Sequence, residues 1–210
     1  MATSDVISLL VIDDHPLIRA GLAAVIAGQP DLRLLDEAGD GAAAIELYRT
    51  HRPDIVLMDL RMPGMDGLTA IKRIRAEFPN ARIIALSSYD GDEDIHRALA
   101  AGASGYLLKD MLRRDLLQII RQVHNGYRGI PPAVARKLAE HIPRQELTPR
   151  ELEVLAMLAR GRSNPQIATA LGRAESTMKV HVRSILRKLG TDDRTEAVMI
   201  AVRRGILHLE

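Results

Sequence analysis

Asp13, Asp14, Asp59, Ser87 and Lys109 are the residues of this sequence whose types and places suggest chemistry. Asp13-Asp14 follow an apolar run, Asp59 ends another, Ser87 ends a third and Lys109 follows a fourth. If those runs are neighbouring strands of one parallel sheet, three carboxylates meet at one edge. Close anions repel unless a cation sits among them, and a small all-oxygen site suits Mg²⁺, which takes one or two carboxylates plus water and phosphate oxygens. A lysine supplies a second positive charge, and a serine hydroxyl can meet a phosphoryl oxygen. A carboxylate, a hard metal and a lysine around one acceptor oxygen are the parts that phosphoryl transfer needs.

The elements that must position these residues are legible as alternating periods. Val6–Ile12, Leu32–Asp36, Ile55–Met58, Arg82–Leu86 and Gly105–Leu108 are short runs rich in Val, Ile and Leu. They are nearly continuous in apolar residues, as strands covered on both faces should be. Helical patterns fall between them, at about 16–27, 41–50, 67–77, 92–101 and 112–125. Five such alternations predict an α/β domain with a doubly wound five-stranded parallel sheet, flavodoxin-like in strand order 2-1-3-4-5. Ligands of such sheets bind beyond the carboxyl ends of the strands.

Gly126, Gly129, Pro131 and Pro132 break the last of these helices. A linker over 127–146 follows, with one short helix from Ala133 to His141 and then Ile142-Pro143. From 147 the pattern is helical throughout and predicts an all-α four-helix domain. Thr148-Pro149-Arg150-Glu151 reads as a capping box, and Asp193 with Glu196 as another. Asn164-Pro165 opens a second helix that ends near Leu171-Gly172, and a third runs from about Glu175 to Leu189 before Gly190.

Charge separates the two parts. The chain carries +2 overall, but residues 1–126 hold 14 Lys and Arg against 18 Asp and Glu (−4), and residues 127–210 hold 15 against 9 (+6). A basic C-terminal third points to nucleic acid as its partner. The helix expected over 175–189 places Met178, Val182, Ile185 and Leu189 on a core face and Lys179, Val180, Arg183, Ser184 and Arg187 opposite. Lys179, Arg183 and Arg187 are four apart and form a basic ridge, which can enter a major groove and meet phosphates and base edges, with Val180 set to touch a thymine methyl. The chain has no cysteine, which excludes disulfides and thiolate metal sites and suits a reducing cytoplasm. Val6–Ile12 is too short for a signal peptide or a membrane span.

Asp13-Asp14, Asp59, Ser87 and Lys109, together with Met62-Pro63-Gly64-Met65-Asp66-Gly67 and Gly105-Tyr106-Leu107-Leu108-Lys109-Asp110, resemble the receiver domain of two-component response regulators over 1–126. Residues 147–210 resemble the LuxR-type helix-turn-helix through Leu147-Thr148-Pro149-Arg150-Glu151-Leu152-Glu153-Val154-Leu155, Asn164 to Ala168, Ser176-Thr177-Met178-Lys179-Val180-His181-Val182 and Arg187-Lys188-Leu189-Gly190. Together they resemble the NarL/FixJ family. The resemblance implies that Asp59 is the phosphoacceptor, that Asp14, Asp59 and the Arg61 carbonyl bind Mg²⁺ directly, and that Asp13 does so largely through water. It implies that Lys109 pairs with the phosphoryl group, that Ser87 and Tyr106 move together as a switch, and that Arg61 and Tyr89 hold positions that tune phosphoryl lifetime. A histidine kinase, double-stranded DNA and a homodimer formed on activation are the implied partners. Thr177, Lys179, Val180, Arg183 and Arg187 would meet DNA, and Val198 and Val202 the second protomer.

The sequence departs from the family at Arg173 and Ala174, where an apolar residue and then Ser or Thr are usual before the recognition helix. Losing a capping hydroxyl typically costs about 1 kcal/mol, which an Arg173 contact to phosphate would offset. Pro165 is unusual but stands in a first turn, which tolerates it. Two other readings compete with the switch. One is a phosphorylation-independent DNA binder whose receiver is a dimerisation module. The other is an aspartyl-phosphate hydrolase, disfavoured because Arg61 stands where such enzymes carry a second Asp. The chain is therefore expected to be a regulator with no enzyme turnover.

Overall fold

The computed structural model describes residues 6–89, 91–140 and 146–208. The chain forms two compact units, the first ending at Leu138. In the first, five strands, β1 (Ile7–Ile12), β2 (Leu32–Ala38), β3 (Ile55–Asp59), β4 (Ile83–Ser87) and β5 (Gly105–Leu108), alternate with helices α1 (Pro16–Ala27), α2 (Gly41–His51), α3 (Gly67–Glu77), α4 (Asp92–Ala100) and α5 (Leu112–His124). All strand pairs are parallel, in the order β2-β1-β3-β4-β5. The doubly wound architecture expected from the sequence is therefore the one observed.

Strand pleating explains why both faces are apolar, since successive side chains point to opposite sides. Leu10, Ile12, Val56, Met58, Ala85 and Tyr106 pack into one core with residues of α2, α3 and α4. Leu9, Val11, Leu57, Ile84, Leu86 and Leu107 pack into the other with residues of α1 and α5. At the carboxyl end of β3, Gly67 lets α3 start against the strand: a Cβ there would lie 1.9 Å from the Asp59 carbonyl oxygen. Asp66 caps this helix by accepting from the Thr69 amide at 2.7 Å.

The expected linker begins as part of this unit. The Tyr106 amide donates to the Gly129 carbonyl at 2.9 Å and the Gly129 amide to the Ser104 carbonyl at 3.0 Å, a single parallel bridge on the outer edge of β5. Both sides are crowded: a Cβ on Gly105 would lie 2.7 Å from the Gly129 carbonyl oxygen, and one on Gly129 would lie 2.7 Å from the Ile119 and Val123 side chains. Helix α6 (Pro132–Glu140) then packs with buried Val134, and with Ile130 and Leu138, against the α2–α4 core. His141, Ile142 and Pro143, where the sequence reading ended the short helix, lie outside the described residues.

The second unit contains α7 (Pro149–Ala159), α8 (Asn164–Ala170), α9 (Glu175–Leu189) and α10 (Arg194–Arg203) around a core of Val154, Leu155, Leu158, Ile167, Met178, Ile185, Leu189, Ala197 and Ala201. The Thr148–Glu151 box closes as expected: the Thr148 amide donates to Glu151 Oε2 at 2.7 Å and the Glu151 amide to Thr148 Oγ1 at 3.3 Å. The second expected box is only half made. Asp193 accepts from the Glu196 amide at 2.8 Å, but the Glu196 carboxylate accepts from the Thr191 hydroxyl and the Asp193 amide donates to Thr191 Oγ1 instead. Helix α8 carries a cap that the sequence reading passed over, with the Ser163 amide donating to Gln166 Oε1 at 2.9 Å. No helix among the described residues is long and apolar enough to cross a membrane.

Candidate functional site: an acidic pocket and a basic helix

The order of the sheet puts β1 beside β3, β3 beside β4 and β4 beside β5, so the carboxyl ends of these strands form one rim. Asp13 and Asp59 are buried there, as is Ser87. Lys109, in a 3₁₀ turn directly after β5, reaches back with its ammonium 2.7 Å from Asp13 Oδ2 and 2.8 Å from Asp59 Oδ2. Asp14 is about a third exposed, and its Oδ1 lies 2.7 Å from His15 Nδ1. The other Asp59 oxygen accepts from the Arg61 amide at 3.1 Å. Asp13, Asp14, Asp59 and Lys109, proposed from sequence alone, are thus gathered in one pocket.

Electrostatics decide what this pocket can do. Three carboxylates face one buried ammonium, and at an effective dielectric of about 20 two like charges 4 Å apart repel by about 4 kcal/mol. Burial pushes the Asp59 carboxyl above its ordinary value, and the nearby Asp13 charge adds to this against the opposing Lys109 ammonium and Arg61 amide. Burial alone would lower Lys109, but its pairing with the Asp13 and Asp59 carboxylates outweighs it and holds the ammonium above its usual range. Asp13 Oδ2 and Asp14 Oδ1 are buried without a well-aligned hydrogen-bond donor, their neighbours being Lys109 and His15. An all-oxygen set with excess negative charge and such atoms fits a hard divalent cation. Receiver domains generally bind Mg²⁺ in a pocket of this kind, and the aspartate cluster for it is in place here.

The expected switch residues are linked to each other. The Ser87 hydroxyl accepts from the Tyr89 amide at 3.0 Å. Tyr106 is fully buried, and its hydroxyl donates to the Tyr89 carbonyl at 2.8 Å. The Arg61 guanidinium stands over the Tyr89 ring at 5.3 Å from its centroid. Two residues missed by the sequence reading also shape the rim. His15 is one. Arg19 is the other: its guanidinium donates to the Asp13 carbonyl at 2.7 Å and so holds the turn after β1. Helical spacing signals Arg19 only as a residue of α1.

In the second unit, α9 buries Met178, Ile185 and Leu189 and leaves Thr177, Lys179, Val180, Arg183 and Arg187 exposed. Ser184 was expected on that outer face and is not there. It is half-buried and lies beside the Glu151 carboxylate, which it helps to keep ionised, because a buried carboxylate at the start of α7 needs polar neighbours from the helix packed on it. Lys179 pairs with Glu175 one turn earlier at 2.9 Å. Ala174 stands at the N-cap of α9 and makes no side-chain cap, and Arg173 beside it is exposed. On α10, Val198 and Val202 are half-buried, with Val198 packed partly on its own core, while neighbouring Met199 is 65% exposed.

Comparison with known proteins agrees with both halves. Residues 9–121 match the response regulator receiver domain, and residues 145–201 match the bacterial regulatory proteins of the luxR family. The nitrate/nitrite response regulator NarL of Escherichia coli K12 is 38% identical over 208 residues, which cover 95% of this chain and 96% of NarL. The transcriptional regulatory protein LiaR of Bacillus subtilis is 37% identical over 96% of this chain and 100% of its own length. Among solved structures, the response regulator ChrA of a heme-sensing two-component system is 37% identical and covers 97% of this chain and 100% of its own, with a TM-score of 0.58. RcsB of Salmonella enterica serovar Typhimurium, bound to a promoter in the presence of phosphomimetic BeF₃⁻, is 27% identical over 93% of this chain and 97% of its own, with a TM-score of 0.69. The chain belongs to the NarL/FixJ family of two-component response regulators, phosphorylation-regulated transcription factors that join a receiver to a LuxR-type DNA-binding domain.

Proposed function

We propose that Asp59 is the phosphoacceptor of this regulator, that a histidine kinase or a small phosphodonor is the source, and that the modification governs dimerisation and sequence-specific binding of double-stranded DNA by α9. The observation that supports this most is the buried Lys109 ammonium shared by Asp13 and Asp59 at the strand ends. An Asp59 oxygen attacks phosphorus and the new O–P bond forms. The donor bond to phosphorus breaks, and the donor departs with that electron pair. Lys109 compensates the charge on the transferring oxygens from its fixed place, and the Ser87 hydroxyl turns to one of them. Asp13, Asp14, Asp59 and the Arg61 carbonyl would hold Mg²⁺, which when bound neutralises phosphoryl charge. Arg61 and Tyr89 flank the site and set access to it.

In this reading Ser87 leaves the Tyr89 amide for the phosphoryl group, and the Tyr89–Tyr106 hydrogen bond carries the change to β5. The receiver is assigned to 1–126, the linker to 127–146 and the DNA-binding domain to 147–210. Thr177, Lys179, Val180, Arg183 and Arg187 meet the DNA, and Val198 and Val202, with Met199 between them, meet the second protomer. Driving a two-state switch from 1:99 to 99:1 requires about 5.5 kcal/mol of bias. The test is DNA footprinting and sedimentation with and without acetyl phosphate and Mg²⁺, on the wild type and on Asp59→Asn. Phosphodonor should tighten binding and promote dimers in the wild type alone. Equal gains in both proteins would contradict the proposal.

A further inference from the structure

Arg19, in the first turn of α1, supports the acidic pocket from behind its carboxylates. Its Nη1 donates to the Asp13 carbonyl at 2.7 Å, and its Nε, which is buried, lies 3.5 Å from Glu37 Oε1 on β2. On the other side of the same residue, the Asp13 amide donates to the Ala38 carbonyl at 3.0 Å. Both backbone groups of Asp13 are therefore tethered, one to the end of β2 and the other to Arg19. A hydrogen bond from a guanidinium is about twice as strong as one between neutral groups. The Asp14 side chain is less constrained, being 30% exposed beside the exposed ring of His15. The backbone of the Asp13–Asp14 turn sets the direction of its carboxylate, and Arg19 holds that turn.

Ions differ in how much such a hold matters. Mg²⁺ demands near-ideal octahedral geometry at about 2.0–2.1 Å, whereas Ca²⁺ accepts oxygen ligands at about 2.3–2.6 Å in flexible arrangements. A rigid turn therefore favours the smaller ion, and a loose one does not. We propose that Arg19 is a positioning residue: by holding the Asp13 carbonyl it orients the Asp14 carboxylate and gives the pocket its preference for Mg²⁺ over Ca²⁺. The inference rests on the metal-binding role given to the aspartates under the proposed function, and it adds the residue that keeps them in register. Arg19 acts through the backbone, since its guanidinium is engaged by the Asp13 carbonyl and Glu37. An arginine that only fastened α1 to the sheet would show the same distances, but its loss would weaken the binding of both ions alike.

Amide NMR titrations of the full, unphosphorylated chain with Mg²⁺ and with Ca²⁺ test this on the wild type, Arg19→Ala and Arg19→Lys. The lysine variant keeps the charge and the apolar stem, so the test stands even where Arg19→Ala fails to fold. A single ammonium lacks the planar fork that meets the carbonyl and Glu37 together. Mg²⁺ affinity should fall about tenfold in Arg19→Ala and by a smaller factor in Arg19→Lys. In both variants Ca²⁺ affinity should fall less than Mg²⁺ affinity. Unchanged Mg²⁺ affinity in the variants, or equal losses for the two ions, overturns the inference and leaves the aspartate site standing. A wild type that binds neither ion removes the site itself and the inference with it.

Discussion

Lys109 is the residue on which the pocket's balance turns, because it is the buried cation that Asp13 and Asp59 share. Removing one partner of a buried ionic group costs about 3–5 kcal/mol, since the remaining charge is left uncompensated. Lys109→Met should therefore lower the unfolding free energy by about 3 kcal/mol in metal-free buffer, measured by urea denaturation. Mg²⁺ should restore part of the loss by binding the folded state. At this scale the sequence was informative where topology constrains it. Parallel strands carry their carboxyl ends to one rim, so Asp13, Asp59, Ser87 and Lys109 could be associated without a contact being known. His15 and Arg19 escaped notice because their roles depend on side-chain direction at the start of α1, which spacing along a chain does not report. Ser184 was misplaced for a similar reason: helical periodicity put it outside, but the need of buried Glu151 for donors draws it in.

Among the elements, α7 and α9 are joined by a well-defined electrostatic link. Glu151 is 4% exposed. Burial would raise its carboxyl, but hydrogen bonds from Lys188, Ser184 and Thr148 outweigh this and bring it down to about 2 from an ordinary 4.5. Lys188 Nζ is 2.7 Å from Glu151 Oε2, and it also donates to the Glu146 carbonyl at 2.9 Å. A folded-state value below the unfolded one means stability that is complete above pH 4.5 and lost as pH falls toward 2. The contribution is about 3 kcal/mol. Amide protection factors along α7 and α9, corrected for the intrinsic pH dependence of exchange, should fall across that window, and Glu151→Gln should remove most of the pH dependence while lowering protection at neutral pH. A flat profile in the wild type would refute the assignment. Most element boundaries were readable from apolar periodicity and from Gly and Pro punctuation. The fate of the segment after Gly126 was not. Gly129 reads as a breaker, yet it lies against the outer edge of β5, a long-range contact that no local pattern encodes.

On the scale of the molecule, the division of charge between an acidic N-terminal part and a basic C-terminal part matches a division of labour between phosphoryl chemistry and DNA binding. Affinity for DNA should fall steeply with salt, because each neutralised phosphate releases counterions. Replacing Lys179 or Arg183 with Ala should weaken binding to all sequences and reduce the slope of log K against log salt by about 1 for each phosphate left without its cation. A change of specificity at one base pair with an unaltered slope would instead make that residue a reader of base edges. In the proposed switch, signalling rests on one covalent event at Asp59. Its most direct measurement is mass spectrometry of the chain after incubation with acetyl phosphate and Mg²⁺, with peptide mapping before and after acid treatment. The expected result is one acid-labile phosphoryl group, located on the peptide containing Asp59 and lost in Asp59→Asn and when Mg²⁺ is chelated. An unmodified chain, or an adduct that persists in Asp59→Asn, would contradict it.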